Sequence, residues 1–423
     1  MKAYIETYGC AANQADTNII KNMLMKGKIT ITDNPMKADI VIINTCTVRG
    51  ETQLRMVKRI KMLSETCLKT GAKLIVAGCM AKAQPALITK IAPKASLISP
   101  KNVEKILKVI KKNNRTIMLQ DAERKILPKH INGRVFTIPI AEGCLGNCTY
   151  CIVKLARGRL KSHSPNRILE EIRRAVKRGA KEIRLTAQDT AVYGLDIGTN
   201  LPELIKQINE IEGDFIIRVG MMTPNSALKI LDELLEVYDY EKVYKFIHLP
   251  LQSGDDRILK LMNRGYTVEQ FKTIVKKFRD RYAKGFIATD VIIGFPTESE
   301  EEYENTVKVI REIEVDKVHI AKYSPRPHTL AAMLPQVPEK IKKRRSRELT
   351  KIAMEIGFKR NSLHLNSNEK VIVLEKGNRG NLRGRLRNYR MVILKGGEEL
   401  IGRWVNVKIT DADSIQLKGK LAS

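Results

Sequence analysis

The sequence has no apolar run approaching the roughly 18 residues that a membrane-spanning helix needs. Its first residues, MKAYIETYGC, lack the apolar core and small-residue cleavage site of a secretory signal. A soluble, cytoplasmic protein without membrane association is therefore expected. Aromatic residues make up only 5%, too few to advertise a broad base-stacking platform. No repeat array or low-complexity tract is visible. Acidic residues are outnumbered: 46 Asp and Glu face 76 Lys and Arg, a formal net charge of +30. Such a field favours a polyanionic partner, most often nucleic acid, although a solvated Lys-rich surface would look the same. Seven cysteines, an odd number, fit metal or redox chemistry better than a disulfide framework.

At 423 residues, 43% of them apolar, the chain has room for two or three domains. Residues 1–110 alternate β-rich runs (AYIETYG 3–9, DIVIINT 39–45, KLIVAG 73–78) with helical stretches such as 50–68. This βαβ alternation predicts an α/β domain with a parallel sheet. Residues 111–133 are polar and basic and read as a linker. From 134 to 365 the alternation restarts, with strands expected at 135–141, 182–187, 215–220, 243–249, 286–293 and 317–323. Helices are expected between them, one opening on TESEEEYENTV, whose acids suit the helix dipole. Six βα units predict a partial (β/α)6 barrel, two short of a complete one. Residues 338–364 read as a long basic helix. From 366 to 423, short β runs punctuated by Gly and Asn predict a small antiparallel β-barrel.

Cys144, Cys148 and Cys151 crowd into EGCLGNCTYC, directly after the first strand of the second domain. The spacing is neither a four-ligand ferredoxin run nor a paired zinc-finger pattern. Three clustered thiolates suit a soft metal or an iron–sulfur cluster; a structural zinc with a distant fourth ligand is the alternative. Three more cysteines, Cys10, Cys46 and Cys79, each follow one expected strand of the first domain. A parallel sheet opens all such positions on one edge, so these thiols can converge. Cys67, at the end of a helical pattern, reads as an ordinary packed thiol.

Cys-x3-Cys-x2-Cys after a strand in a β/α chain resembles the radical S-adenosylmethionine (SAM) enzymes. The resemblance implies a [4Fe–4S] cluster on Cys144, Cys148 and Cys151, with SAM on the fourth iron. Electron transfer would then cleave SAM to a 5′-deoxyadenosyl radical. Tyr150 matches the family's aromatic near the adenine. Val291, Ile293 and Gly294 of DVIIGFP (290–296) match the late strand that flanks it, where glycine allows close backbone approach. Gln188 and Asp189 fall at a strand end that meets the SAM amino group in the family; helix or loop capping is their alternative role. Arg218 and Arg157 are expected to meet carboxylate or phosphate groups of SAM or substrate, or else to form ion pairs.

The second cysteine set narrows the resemblance to the methylthiotransferase branch, and implies a second [4Fe–4S] cluster on Cys10, Cys46 and Cys79. HLPLQSGDDRILKLMNRGYT (248–267), KYSPRPHTLAA (322–332) and CIVKLARGRLKS (151–162) look like this branch, and the C-terminal segment looks like its RNA-binding TRAM barrel. GCAANQADT (9–17), LTAQDTAVYGLDIG (185–198) and RVGMMTPNSA (218–227) look most like the archaeal and eukaryotic members. Those modify N6-threonylcarbamoyladenosine (t6A) beside the tRNA anticodon. N6-isopentenyladenosine in tRNA and an aspartate of a ribosomal protein are the other substrates of the branch. A non-enzymatic iron–sulfur RNA-binding protein would explain the charge and clusters, but not the SAM-site segments. RGNLRGRLRNYR (379–390) is expected to hold the anticodon stem-loop through Arg379, Arg383, Arg385, Arg387 and Arg390. The resemblance further implies an electron donor such as a ferredoxin or flavodoxin, and a sulfur source.

Overall fold

In Ile40–Thr45 every residue is buried, because successive side chains of a strand leave on opposite faces and both faces are covered. On one side Val41 and Ile43 pack with Leu74 and Val76 against Met56, Ile60 and Leu63 of the helix Gly50–Thr70. On the other, Ile40 and Ile42 pack with Ile75 and Ala77 against Ile19, Ile20 and Leu24 of the helix Ala11–Lys26. The strands are β1 (Lys2–Thr7), β2 (Thr30–Ile31), β3 (Ile40–Thr45), β4 (Lys73–Gly78), β5 (Ser96–Ile98) and β6 (Ile117–Met118). They lie in the order β2-β1-β3-β4-β5-β6, all parallel. β6 falls inside the stretch read from the sequence as linker; it extends the sheet by pairing with Leu97 and Ile98. Cys67 is packed in the first of these cores, and burial pushes its thiol up to about 11. This computed structural model describes residues 1–48, 50–122 and 124–422, without the side chain of Arg379.

The second unit begins with β7 (Val135–Pro139) and a short antiparallel ribbon, β8 (Ala141–Glu142) with β9 (Lys161–Ser162). β10 (Glu182–Thr186), β11 (Ile216–Arg218), β12 (Phe246–His248), β13 (Phe286–Ile293) and β14 (Lys317–Lys322) follow. They form two parallel sheets, β11-β10-β7 and β12-β13-β14, joined by a parallel bridge between Ile217 and Val243. The result is one curved, six-stranded parallel wall with helices outside. Among the described residues β7 and β14 do not pair, so the barrel stays open. Capping boxes at Thr267/Gln270 and Ser299/Glu302 start two of the helices. Ile183, Leu185, Ile217, Val219, Ile247 and Leu249 face the helices. The period of two then turns Arg184, Arg218 and His248 toward the inside of the barrel.

The third unit contains β15 (Asn368–Lys376), β16 (Asn381–Leu386), β17 (Met391–Lys395), β18 (Trp404–Ala412) and β19 (Leu417–Leu421). They close in the order β15-β16-β17-β19-β18. The barrel departs from a purely antiparallel one in a single pair: β17 and β19 run parallel. Ile372, Leu374, Tyr389 and Trp404 pack against Ile216, Tyr244, Phe246 and Ala288. The small barrel therefore caps the N-terminal ends of β11–β13, opposite the strand ends that carry the cysteines. The helix Glu339–Ser362 seals the junction, burying Leu349 and Ile352 in the central core. Among the described residues no helix is long and apolar enough to cross a membrane.

Candidate active site at the strand ends

Cys144, Cys148 and Cys151 occupy the loop between β8 and the helix Val153–Arg157. The Cys144 N–H donates to Gly158 O at 3.1 Å, which pins the loop's entry to its exit. The Gly146 N–H donates to Cys144 Sγ at 3.2 Å. A Cβ on Gly146 would stand 3.4 Å from Cys144 Sγ and 3.7 Å from Cys148 Sγ, so glycine keeps the space between the two sulfurs clear. Arg264 Nη1 donates to Cys148 Sγ at 3.1 Å. Burial raises the thiols of Cys144 and Cys151, the latter to about 12.

The second set is built by sheet order. Cys10, Cys46 and Cys79 follow β1, β3 and β4, which are neighbours in the sheet. Cys10 is the N-cap of the helix Ala11–Lys26, and Cys79 opens the helix Cys79–Ala83. Gly9 has φ +112°, and a Cβ there would come within 2.8 Å of Cys46 Cβ and 3.2 Å of Cys46 Sγ. Only glycine allows the Cys10 loop to lie this close to Cys46. Cys79 Sγ donates to Asn13 Oδ1 at 3.6 Å. Burial raises the Cys46 thiol and pushes Cys79 up to about 12.

The two sets meet across the boundary between the first two units. Cys79 and Ala83 pack against Ile152 and Ala156, on the segment that follows Cys151. Arg157, on that same helix, departs from its expected role in reaching a ligand. It is 2% exposed, and its Nη2 donates to Asn13 Oδ1 at 2.8 Å and Asp16 Oδ2 at 2.6 Å. Arg124 Nη2 donates to Asp16 Oδ1 at 2.6 Å, and Arg124 Nη1 stands 2.5 Å from Glu142 Oε1. Two buried guanidinium groups and two buried carboxylates thus pair at the joint between the units, with Arg157 close enough to Cys79 and Cys10 to feel their charge. Asn13, Asp16, Arg124, Glu142 and Arg264 were not singled out from the sequence. Asp16 and Arg157 are 141 residues apart, and no local pattern signals such a pair.

The remaining expected SAM-site residues divide. Tyr150 packs edge-on against Phe295 at 6.2 Å, joining the cysteine loop to the end of DVIIGFP. Val291 and Ile293 are fully buried in the core between strands and helices. Strand alternation turns Ile292 instead toward the cluster that holds Phe295 and Tyr150. The apolar side chain expected beside a ligand is therefore Ile292. Gly294 has φ +68°, and a Cβ there would collide with Lys342, while its N–H donates to Glu298 Oε2 at 2.8 Å. Asp189 caps the short turn Thr190–Val192 and accepts from the Ala191 and Thr223 N–H groups, each at 3.1 Å. Its neighbour Gln188 leaves Oε1 buried without a partner among the described residues, and so does Gln252. Arg218 lies over the rings of Phe246 and Tyr389, at 4.9 and 5.6 Å.

Of the arginines expected to hold RNA, Arg383 is partly exposed and stands 3.6 Å from Glu375. Arg385 Nη1 donates to Tyr389 O at 3.1 Å, and Arg387 Nη1 to Glu241 O at 2.8 Å. Arg390 departs from the expectation. It is 2% exposed and paired with Asp316 and Asn361, so its charge holds the small barrel to the central one. The side chain of Arg379 lies outside the described residues.

These surroundings fit the groups that the sequence implies. Among the described residues no three Cys, His, Asp or Glu side chains close tightly enough to hold a single metal ion. The donor chemistry of each set, three thiols, is that of an iron–sulfur cluster. Arg264, Arg157 and the N-terminus of the helix after Cys10 offset the negative charge such a group carries. The orphaned amide oxygens of Gln188 and Gln252 are acceptors awaiting a donor such as a ligand ammonium.

Comparison with known proteins agrees with this layout. Residues 138–310 match the radical SAM superfamily, 2–99 the uncharacterized protein family UPF0004, and 365–422 the TRAM domain. The whole chain is 45% identical to a Methanocaldococcus jannaschii protein named "Probable threonylcarbamoyladenosine tRNA methylthiotransferase", covering 97% of it. It is 41% identical to a Pyrococcus horikoshii protein of the same name, again over the whole chain and 99% of the relative. A Clostridium botulinum "tRNA-2-methylthio-N(6)-dimethylallyladenosine synthase" is 34% identical over 99% of this chain and 96% of its own. Among solved structures, a radical SAM methyltransferase from Kitasatospora setae superposes with a TM-score of 0.60 at 12% identity, over 78% of this chain and 74% of its own. That likeness is one of fold.

Proposed function

The chain belongs to the radical SAM tRNA methylthiotransferases, and we propose that it converts t6A next to the tRNA anticodon to its 2-methylthio derivative. The observation that carries this reading is the packing of Cys79, from the second thiol set, against Ile152 next to Cys151 of the first, with a buried Arg–Asp network at the same joint. Two archaeal relatives, 45% and 41% identical over the whole chain, are named for the t6A reaction. In this reading Cys144, Cys148 and Cys151 hold one [4Fe–4S] cluster together with SAM, and Cys10, Cys46 and Cys79 hold a second. When bound, these groups supply electron transfer, hydrogen abstraction at adenine C2 and the methylthio sulfur. Cleaving an unactivated C–H bond needs no acid or base from the protein, which accounts for the lack of any His, Ser or paired-carboxylate constellation in the sequence reading.

The chain's own residues bind, orient and exclude water. Arg264 stabilises the Cys148 sulfur by a charge-assisted hydrogen bond. Tyr150, Ile292, Phe295 and Tyr323 close an apolar wall beside the cysteine loop. Gln188 and Gln252 present carbonyl oxygens to the SAM ammonium. Arg157, Asp16, Arg124 and Glu142 fix the distance between the two thiol sets by locking one unit to the other. The basic TRAM surface holds the tRNA phosphates. An electron donor such as a ferredoxin or flavodoxin, and a sulfur source, complete the partners. Mass spectrometry of tRNA nucleosides from the host with and without this gene tests the reading. The methylthio derivative of t6A should disappear with the gene while t6A itself remains. Loss of methylthio-isopentenyladenosine instead would overturn it.

A further inference from the structure

The inside of the open barrel carries charge that the cysteine sets do not use. Arg184 and Arg218 stand side by side in register on β10 and β11. Arg184 is neutralised by Glu182, and Glu182 also accepts from Tyr244 Oη at 2.8 Å. Arg218 has no such partner: among the described residues no carboxylate or hydrogen-bond acceptor reaches it, and its buried Nε is orphaned. Burial lowers its pKa, and the neighbouring Arg184 adds to that effect. A desolvated cation without an anion is costly, and such groups are normally paired.

Two further features make this a built site. Arg218 lies over Phe246 and also over Tyr389, which the small barrel contributes from below. These rings hold the guanidinium in place without satisfying its N–H groups. The layer is also open to solvent from within: the Arg184 side chain is 31% exposed and Asp290 25%. On the facing strands His248 is occupied by Asp290, at 2.6 Å. Glu182, Arg184 and Arg218 together carry one excess positive charge.

We propose that Arg218, with Arg184 beside it, is the receptor for the carboxylate of the threonylcarbamoyl group, and so determines which modified adenosine is accepted. The inference rests on the t6A reading and names the residue that enforces it. The amino acid's carboxylate is the charged feature that separates t6A from an adenosine bearing a hydrocarbon chain. A guanidinium fork engages a carboxylate through two parallel hydrogen bonds. A site with buried donors left unpaired rejects analogues that cannot fill them. SAM also bears a carboxylate. Arg218, however, is in register with Arg184, two residues before the end of β10, and so below the rim where the cysteines lie.

The test uses the full-length, cluster-loaded protein and three RNA stem-loops. One bears t6A, one bears t6A with its carboxylate capped as a methylamide, and one bears unmodified adenosine. Dissociation constants are measured for the wild type, Arg218→Gln, Arg218→Met and Arg218→Lys, together with SAM affinity. Arg218→Met keeps apolar packing over Phe246 if the Gln variant folds poorly. The wild type should prefer t6A to its amide by about tenfold or more. The Gln and Met variants should lose that preference, the Lys variant should keep part of it, and all should hold unmodified RNA and SAM as the wild type does. Retained preference in both neutral variants would overturn the assignment. A selective fall in SAM affinity would give Arg218 to the SAM carboxylate instead. Product formation by the wild type on the t6A stem-loop separates the failures. Product with unchanged preference in the variants sinks the Arg218 assignment alone, whereas no product sinks the t6A reading and the assignment with it.

Discussion

His163 sits 6% exposed beside the ribbon that carries Ser162, and its imidazole is pushed down to about 3 by burial and then by Arg124 and Arg167. The unfolded chain binds this proton near pH 6.5 and the folded chain does not. Its contribution is therefore complete above pH 6.5 and is lost as pH falls toward 3, by up to about 1.4 kcal/mol per pH unit. We expect His163→Gln to flatten the fall in stability between pH 6.5 and 4.5, as read from urea midpoints; an unchanged acid limb would remove His163 from the account. The placement of the cysteines at strand ends was legible from the sequence, because it follows from the strand pattern alone. Asp16, Arg124 and Glu142 were not, because a buried acid or arginine acquires its role only from a partner far along the chain. Arg157 could be singled out from its motif, but its partner could not.

At the scale of single elements, alternation decides which neighbours do what. DVIIGFP was legible as a strand that ends beside the site, yet the face was not. Val291 and Ile293 turn to the helices and Ile292 to the Tyr150 side. A shift of one residue exchanges the two faces of a strand. The same holds for the arginine-rich hairpin of the TRAM barrel, where density of charge was visible but exposure was not. Arg383 is partly exposed and only loosely paired, whereas Arg390 is buried against Asp316. Arg383→Ala should weaken binding of any stem-loop sequence and reduce the slope of log Kd against log salt by about 0.7–0.9, one phosphate contact. Arg390→Ala should leave that slope unchanged and lower the unfolding midpoint, because it removes the buried tie from the small barrel to Asp316 and leaves Asn361 Oδ1 without its donor. Equal salt slopes for wild type and Arg383→Ala would place the RNA elsewhere.

Across the whole molecule, three folding units bring their functional ends to two places. The first unit and the central barrel present their cysteines to each other, with Cys79 and Ile152 in one apolar cluster. The small barrel closes the opposite end and contributes Tyr389 to the barrel interior. The parallel sheets and the six βα units were legible from alternation alone. The joint between units was not, because domain docking leaves no periodic trace in the sequence. The most direct measurement compares the reconstituted wild type with the variant Cys10→Ala/Cys46→Ala/Cys79→Ala, given SAM, reductant and a t6A stem-loop, scoring 5′-deoxyadenosine and nucleosides by mass spectrometry. We expect the wild type to form 5′-deoxyadenosine and methylthiolated t6A, and the variant to form 5′-deoxyadenosine alone. Methylthiolated t6A from the variant at the wild-type rate would contradict the two-site account.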